Sequence, residues 1–230
     1  MELSAFKIRQ LVFEVRYDDA FLLWDCAGRV HAELAKLWPG SKLVQSEANQ
    51  QLLKSDDAEI MTGIRQAHVA VIEPSTITKF ADQIAETLRI WTSAMNVGKF
   101  NRVGTRVIYT RKYSSEEASD QAVMDLELIQ HPPPPFFNHK VEPYTGEITI
   151  TWRDDTTQTR FLAKSEHQSI EVPNLEKASE KQKQAAHFLI VDIDRATRGT
   201  VDLAKFRVRE WLDGVAHLIS RDVPKLIAKG

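Results

Sequence analysis

RVGTRVIYTRKY, residues 102–113, alternates apolar and polar side chains in the same way as FKIRQLVFEVRY, residues 6–17. A period of two marks a strand with one face buried. In the earlier stretch Leu11, Phe13, Val15 and Tyr17 share one face, opposite Gln10, Val12, Glu14 and Arg16. In the later one Val103, Thr105, Val107 and Tyr109 stand opposite Arg102, Arg106 and Thr110. Each stretch runs directly into a helix signal, so the later one reads as a restart of the pattern begun at the amino terminus.

After the first strand, Asp18 or Asp19 is placed to cap a helix reaching Trp38, with Leu23, Ala27, Val30, Leu34 and Leu37 at helical spacing before Pro39 and Gly40. From Lys42 to Glu73 the period falls to two again, with turn signals at Asp56–Asp57 and near Gly63, which predicts two or three antiparallel strands. Pro74 and Ser75 then open a helix whose Ile77, Phe80, Ala81, Ile84, Leu88, Trp91 and Met95 form one apolar stripe up to Gly98.

The second round follows the same order. Ser114 and Glu117 have capping-box spacing for a helix carrying Ala118, Ala122, Leu126 and Ile129 and ending at His131. Pro132 to Pro135 fit neither helix nor central strand and read as a stiff extended connector. Lys140 to Pro173 predicts a hairpin set turning at Asp154 and Asp155, with a further short strand ending at Val172. Residues 174–186, poor in large apolar side chains, read as a solvated loop or short exposed helix. HFLIVDIDRA, residues 187–196, is a strong strand, and Asp202 is placed to cap a last helix with Leu203, Phe206, Trp211, Leu212, Val215, Leu218 and Ile219, fraying beyond Pro224.

The element order predicts an α+β fold of two pseudo-repeats, residues 1–100 and 101–230, each strand, helix, antiparallel strands, helix, with the helices on one face of the sheet. The two halves form one compact unit in this reading.

With 30 Lys and Arg against 32 Asp and Glu, the chain lacks a global field for polyphosphate or anionic lipid, which disfavours nucleic acid as partner. A single cysteine, Cys26, on the first helix beside its buried stripe, forms no intrachain disulfide and suits a reducing compartment. No apolar run is long enough for a signal peptide or membrane span, so a soluble cytoplasmic protein is expected.

No phosphate loop, nucleophile elbow or HExxH motif is present. The seven histidines show no helical pair at four-residue spacing and have no cysteine partners, so neither a structural zinc site nor a cofactor is expected. His131 and His139 flank the proline run. Asp192 and Asp194, two apart on a strand, point to one face about 7 Å apart. Such a pair suits either Mg²⁺ and a phosphate substrate, or arginines across the sheet. Arg16, Arg102, Arg106 and Arg153 fall on the polar faces of expected strands together with Glu14, Thr149 and Thr151. A rigid arginine cluster binds carboxylate or phosphate through paired donors.

VFEVRY at 12–17, RVGTRVIYTR at 102–111 and HFLIVDIDRA at 187–196 followed by an amphipathic helix resemble a sporadically distributed family of bacterial proteins of similar length and unassigned activity. Thr105 and Val107 replace the leucine and tyrosine of the family's glycine-leucine-arginine-tyrosine pattern. The resemblance implies a bacterial cytoplasmic protein and no catalytic residues. The doubled order is also similar to the duplicated folds of the TATA-box-binding protein and the gyrase-inhibitor-like ligand-binding proteins, a likeness of architecture alone.

The sequence therefore favours a non-enzymatic ligand- or protein-binding module whose polar sheet face presents Arg16, Arg106, Arg153, Asp192 and Asp194 to a protein or small anionic ligand, with room for a homodimer. The alternative is a metal-dependent enzyme acting on a phosphate-containing substrate through Asp192 and Asp194.

Overall fold

The computed structural model describes residues 1–129, 146–173 and 181–228, with no side chains described at 170–173 and 181–184. The strands are β1 (Lys7–Arg16), β2 (Lys42–Glu47), β3 (Gln50–Lys54), β4 (Ala58–Gly63), β5 (Gln66–Ile72), β6 (Lys99–Phe100), β7 (Arg102–Tyr113), β8 (Glu147–Arg153), β9 (Thr157–Pro173), β10 (Lys181–Thr197) and β11 (Val201–Asp202). The helices are α1 (Leu23–Leu37), α2 (Ala81–Met95), α3 (Glu116–Met124) and α4 (Val208–Ile227). The fold is α+β, and none of these helices is long and apolar enough to cross a membrane.

Nine strands form one antiparallel sheet in the order β2-β3-β4-β5-β1-β7-β10-β9-β8, and β6 pairs with β11 in a separate two-stranded ribbon. The strands at 7–16 and 102–113 lie side by side at the centre, with Phe13 opposite Thr105 and Val15 opposite Val103. One face of the sheet is apolar: Leu53, Ile60, Val69, Phe13 and Thr105 follow one another across five strands and are buried. On this face α1 packs on α2 and α2 on α4, while α3 lies over β9, β10 and β7.

Indole N–H groups, of the buried Trp38 and Trp91 and the partly buried Trp211, fix the helices on the sheet and on one another. The Nε1 groups of Trp91 and Trp211 donate to Thr62 Oγ1 on β4 (2.8 Å) and Thr105 Oγ1 on β7 (2.9 Å), and Trp38 Nε1 donates to Thr87 Oγ1 (2.8 Å). A buried N–H without an acceptor costs about 1–3 kcal/mol. The three threonines, all fully buried, remove that cost.

Several boundaries differ from the sequence expectation. Neither Asp18 nor Asp19 caps α1, whose first turn has no side-chain cap, because Asp19 binds Arg65 and Asp18 binds Asn101 and Lys99. Cys26 lies within the buried stripe of α1. The stretch from 42 to 72 makes four strands instead of two or three. Helix α2 begins at Ala81, well after Pro74, behind Glu73 at a left-handed φ of 45°. Ser115, and not Ser114, caps α3 by accepting from the Ala118 N–H, and the helix stops at Met124, ahead of Glu127 at φ 49°. Asp202 lies in β11 and accepts from the Ala204 N–H, so α4 starts only at Val208.

Beyond Pro224, α4 continues to Ile227 because Val223 and Ile227 are buried, and this anchorage outweighs the backbone donor lost at the proline. Residues 181–186, expected as loop or helix, belong to β10 and pair with 168–173 of β9. Main-chain pairing in such a hairpin needs no apolar side chains. The proline run, His131 and His139 lie outside the described residues.

Candidate functional site

The face of the sheet opposite the helices carries polar side chains, among them two adjoining charged clusters. The first is centred on Arg102. Its Nη1 donates to Glu14 Oε1 (2.6 Å) and its Nη2 to Asp194 Oδ1 (3.1 Å), while Arg16 Nε donates to the same Glu14 oxygen (2.8 Å). Gly104 makes this possible, since a Cβ there would lie 2.6 Å from Arg102 Nη1. A glycine inside a strand marks such a close approach. Arg102 folds back over its own strand and ties β1 to β10.

The second cluster is centred on Asp192, whose side chain is 2% exposed. Arg106 reaches it from the neighbouring strand, Nε donating to Oδ1 (2.9 Å) and Nη2 to Oδ2 (2.6 Å). These bonds to Asp192 stabilise the charged guanidinium and raise the Arg106 pKa further. From the other side Arg160 Nη2 stands 3.7 Å from Asp192 Oδ2, and Arg160 Nε is buried without an acceptor. One carboxylate thus faces two guanidinium groups.

A groove of about 320 Å³ opens over this cluster. Ile108, Leu162 and Ile190 are among its lining residues, Arg106 and Arg160 border Asp192, and Arg9 and Lys164 flank Glu166. Arg9 donates to Glu166 Oε1 (2.9 Å), and Lys164 Nζ is 3.4 Å from Oε2. Arg9 has the sequence parity of the core residues Leu11 and Phe13, but a register shift between Ile8 and Gln10 turns it to the open face. Four basic residues against Asp192, Glu147 and Glu166 leave the lining with an excess of one positive charge. A larger concavity of about 420 Å³ lies between α4 and β8–β10, but it is lined mainly by Phe161, Ile193, Val215 and other apolar groups. Its charged residues, Arg195, Arg221, Lys225 and Asp222, include no buried carboxylate, Asp222 being 44% exposed.

Of the residues expected from sequence, Arg106 and Asp192 meet in the groove. Asp194 and Arg16 belong instead to the Arg102 cluster, and Arg16 stands in register with Arg102, four residues and roughly 13 Å from Arg106 along β7. Arg153, on the edge strand β8 opposite Gln158, lies outside both. Sequence reasoning missed Arg160 and Lys164 as site residues, although their shared parity on the 158–164 strand is visible, and Arg9, whose bulge leaves no sequence signal. No protein-family model and no curated protein matches the chain.

Proposed function

We propose that the chain is a non-enzymatic binding module whose open sheet face takes an anionic group, a phosphate or carboxylate borne by a small ligand or by a partner protein, in the groove over Asp192. The observation that carries this reading is the pair of guanidinium groups directed at one buried carboxylate, with Arg160 Nε buried and lacking an acceptor. A guanidinium with N–H donors left without an acid partner binds an oxyanion through them. The apolar groove residues lower the local dielectric and strengthen that contact. The enzymatic alternative draws less support, because guanidinium donors already bind both oxygens of Asp192 and both of Asp194.

The same proposal treats residues 1–100 and 101–230 as two copies of one pattern and places the chain with the bacterial family it resembles. The topology supports duplication: β1 and β7 are central neighbours, and each has the final main-sheet strand of its own half, β5 or β10, on its other side. The groove then belongs to the second half, with β1 lending Arg9 and Gln10.

Titrating ¹⁵N-labelled protein with inorganic phosphate, and separately with a tricarboxylate, tests the binding reading. Amide shifts should move on β7, β9 and β10 around Arg106, Arg160 and Asp192, vanish in Arg106→Gln and persist in Arg16→Gln. Shifts absent from these strands with both probes, or lost equally in Arg16→Gln, would overturn it.

A further inference from the structure

His167 and His187 are twenty residues apart in sequence but directly opposite one another on β9 and β10. They share the parity of Ala163 and Leu189 and so lie on the helical face, away from the groove. Their Nδ1 atoms are 3.2 Å apart and their ring centroids 5.3 Å. Above them the first turns of α3 supply two carboxylates at i and i+4, the spacing that sets side chains on one helical face. His167 Nε2 is 3.3 Å from Asp120 Oδ1 and 3.7 Å from Glu116 Oε1. One ligand atom each from Glu116, His167 and His187 lie mutually within 4.8 Å.

We propose that His167, His187, Glu116 and Asp120 form a binding site for a divalent transition metal ion of the zinc type. Ligands about 2.0–2.1 Å from a tetrahedral ion stand about 3.3–3.4 Å from one another. The two separations from His167 Nε2 to the carboxylates are close to that edge length, and a small closure of α3 on the hairpin brings in His187. The chemistry of the donors selects the metal: two imidazoles suit zinc, cobalt or nickel, whereas magnesium and calcium prefer a shell of oxygens.

The Nδ1 atoms of the two histidines are 3.2 Å apart, and both carboxylates bear on His167 Nε2. A divalent cation satisfies two imidazoles and two carboxylates together. The amino terminus of α3, whose dipole opposes a cation, is met locally by the Ser115 hydroxyl accepting from the Ala118 N–H. The frame is preformed, since α3 packs on β9 and β10. Side-chain exposures of 32% at His167 and 20% at Asp120 leave a path from solvent.

Calorimetric titration of the full chain with zinc alone tests the site. One ion per chain is expected, with visible d–d absorption of a four-coordinate site when cobalt replaces zinc. His187→Gln should weaken zinc binding at least tenfold, and Glu116→Gln with Asp120→Asn should do the same. His217→Gln, on the exposed face of α4, should leave it unchanged. The zinc-induced rise in melting temperature of the wild-type chain gives a readout that needs no variant to fold. Absence of uptake by the wild type, uptake undiminished in both the His187 and the carboxylate variants, or uptake lost equally in His217→Gln would overturn the proposal.

Discussion

Arg102 and Asp192 are hubs of neighbouring charge clusters on one sheet face, and their charge ratios differ. Around Arg102, two arginines meet two acids, Glu14 and Asp194, and the charges balance. Around Asp192, two arginines meet one acid. A balanced cluster on a sheet completes its own hydrogen bonds and ties strands together. An unbalanced one keeps donors for something else. The difference separates two otherwise similar clusters: the first ties β1, β7 and β10 together, and the second is the one proposed to receive an anion.

The largest stability effect expected from this contrast is at Arg106. Arg106→Met removes the bidentate partner of a carboxylate that is 2% exposed, and breaking such a pair costs several kcal/mol when both partners are buried. Arg106 is itself 46% exposed and Arg160 remains nearby, so a loss of about 2 kcal/mol is expected in urea unfolding. A loss within about 0.5 kcal/mol would erase the distinction between the clusters. Gly104→Ala comes next. The added methyl displaces the Arg102 guanidinium and its bonds to Glu14 and Asp194, for an expected loss of about 1 kcal/mol. In an Arg102→Met background Gly104→Ala should cost little further stability, which would confirm that the clash acts through that side chain.

The pH dependence sharpens the same contrast from the balanced side. His68, on β5 opposite Glu14, has its pKa lowered from 6.5, chiefly by burial, against the pull of Glu59 and Glu14. Below pH 6.5 the unfolded chain takes up this proton more readily than the folded one, so stability is full above that pH and falls as pH drops towards the folded-state pKa. His68→Gln should flatten that slope, as measured by urea midpoints across the window, and an unchanged slope would remove His68 as its source. Smallest of all is Arg16→Ala, which frees one exposed bond to Glu14 that Arg102 already satisfies, with an effect within about 0.5 kcal/mol. A larger loss would make Arg16 part of the structural hub.

The strands at 7–16 and 102–113, the apolar stripes of α1, α2 and α4, and the gathering of arginines on one face were legible because each depends on local periodicity. What was not legible depends on pairing. The Arg9 bulge, the crossing of Arg102 over Gly104 and the meeting of His167 with His187 arise from register between strands distant in sequence. Helix starts were misplaced wherever an aspartate had a better partner than the helix end. Asp19 with Arg65 shows this, since the same side-chain oxygens that cap a helix also accept from a guanidinium. Arg160 could have been found by extending the parity argument from 192 and 194 to the facing strand.

The charge excess around Asp192 is tested most directly at Arg160, whose removal separates binding from folding. Phosphate and tricarboxylate affinity of Arg160→Gln should fall at least tenfold with the urea midpoint unchanged or slightly raised, because Asp192 keeps Arg106 and loses a second cation it does not need. A destabilised Arg160→Gln that binds both anions as the wild type does would show instead that Arg160 is part of the scaffold and that the groove is not the anion site.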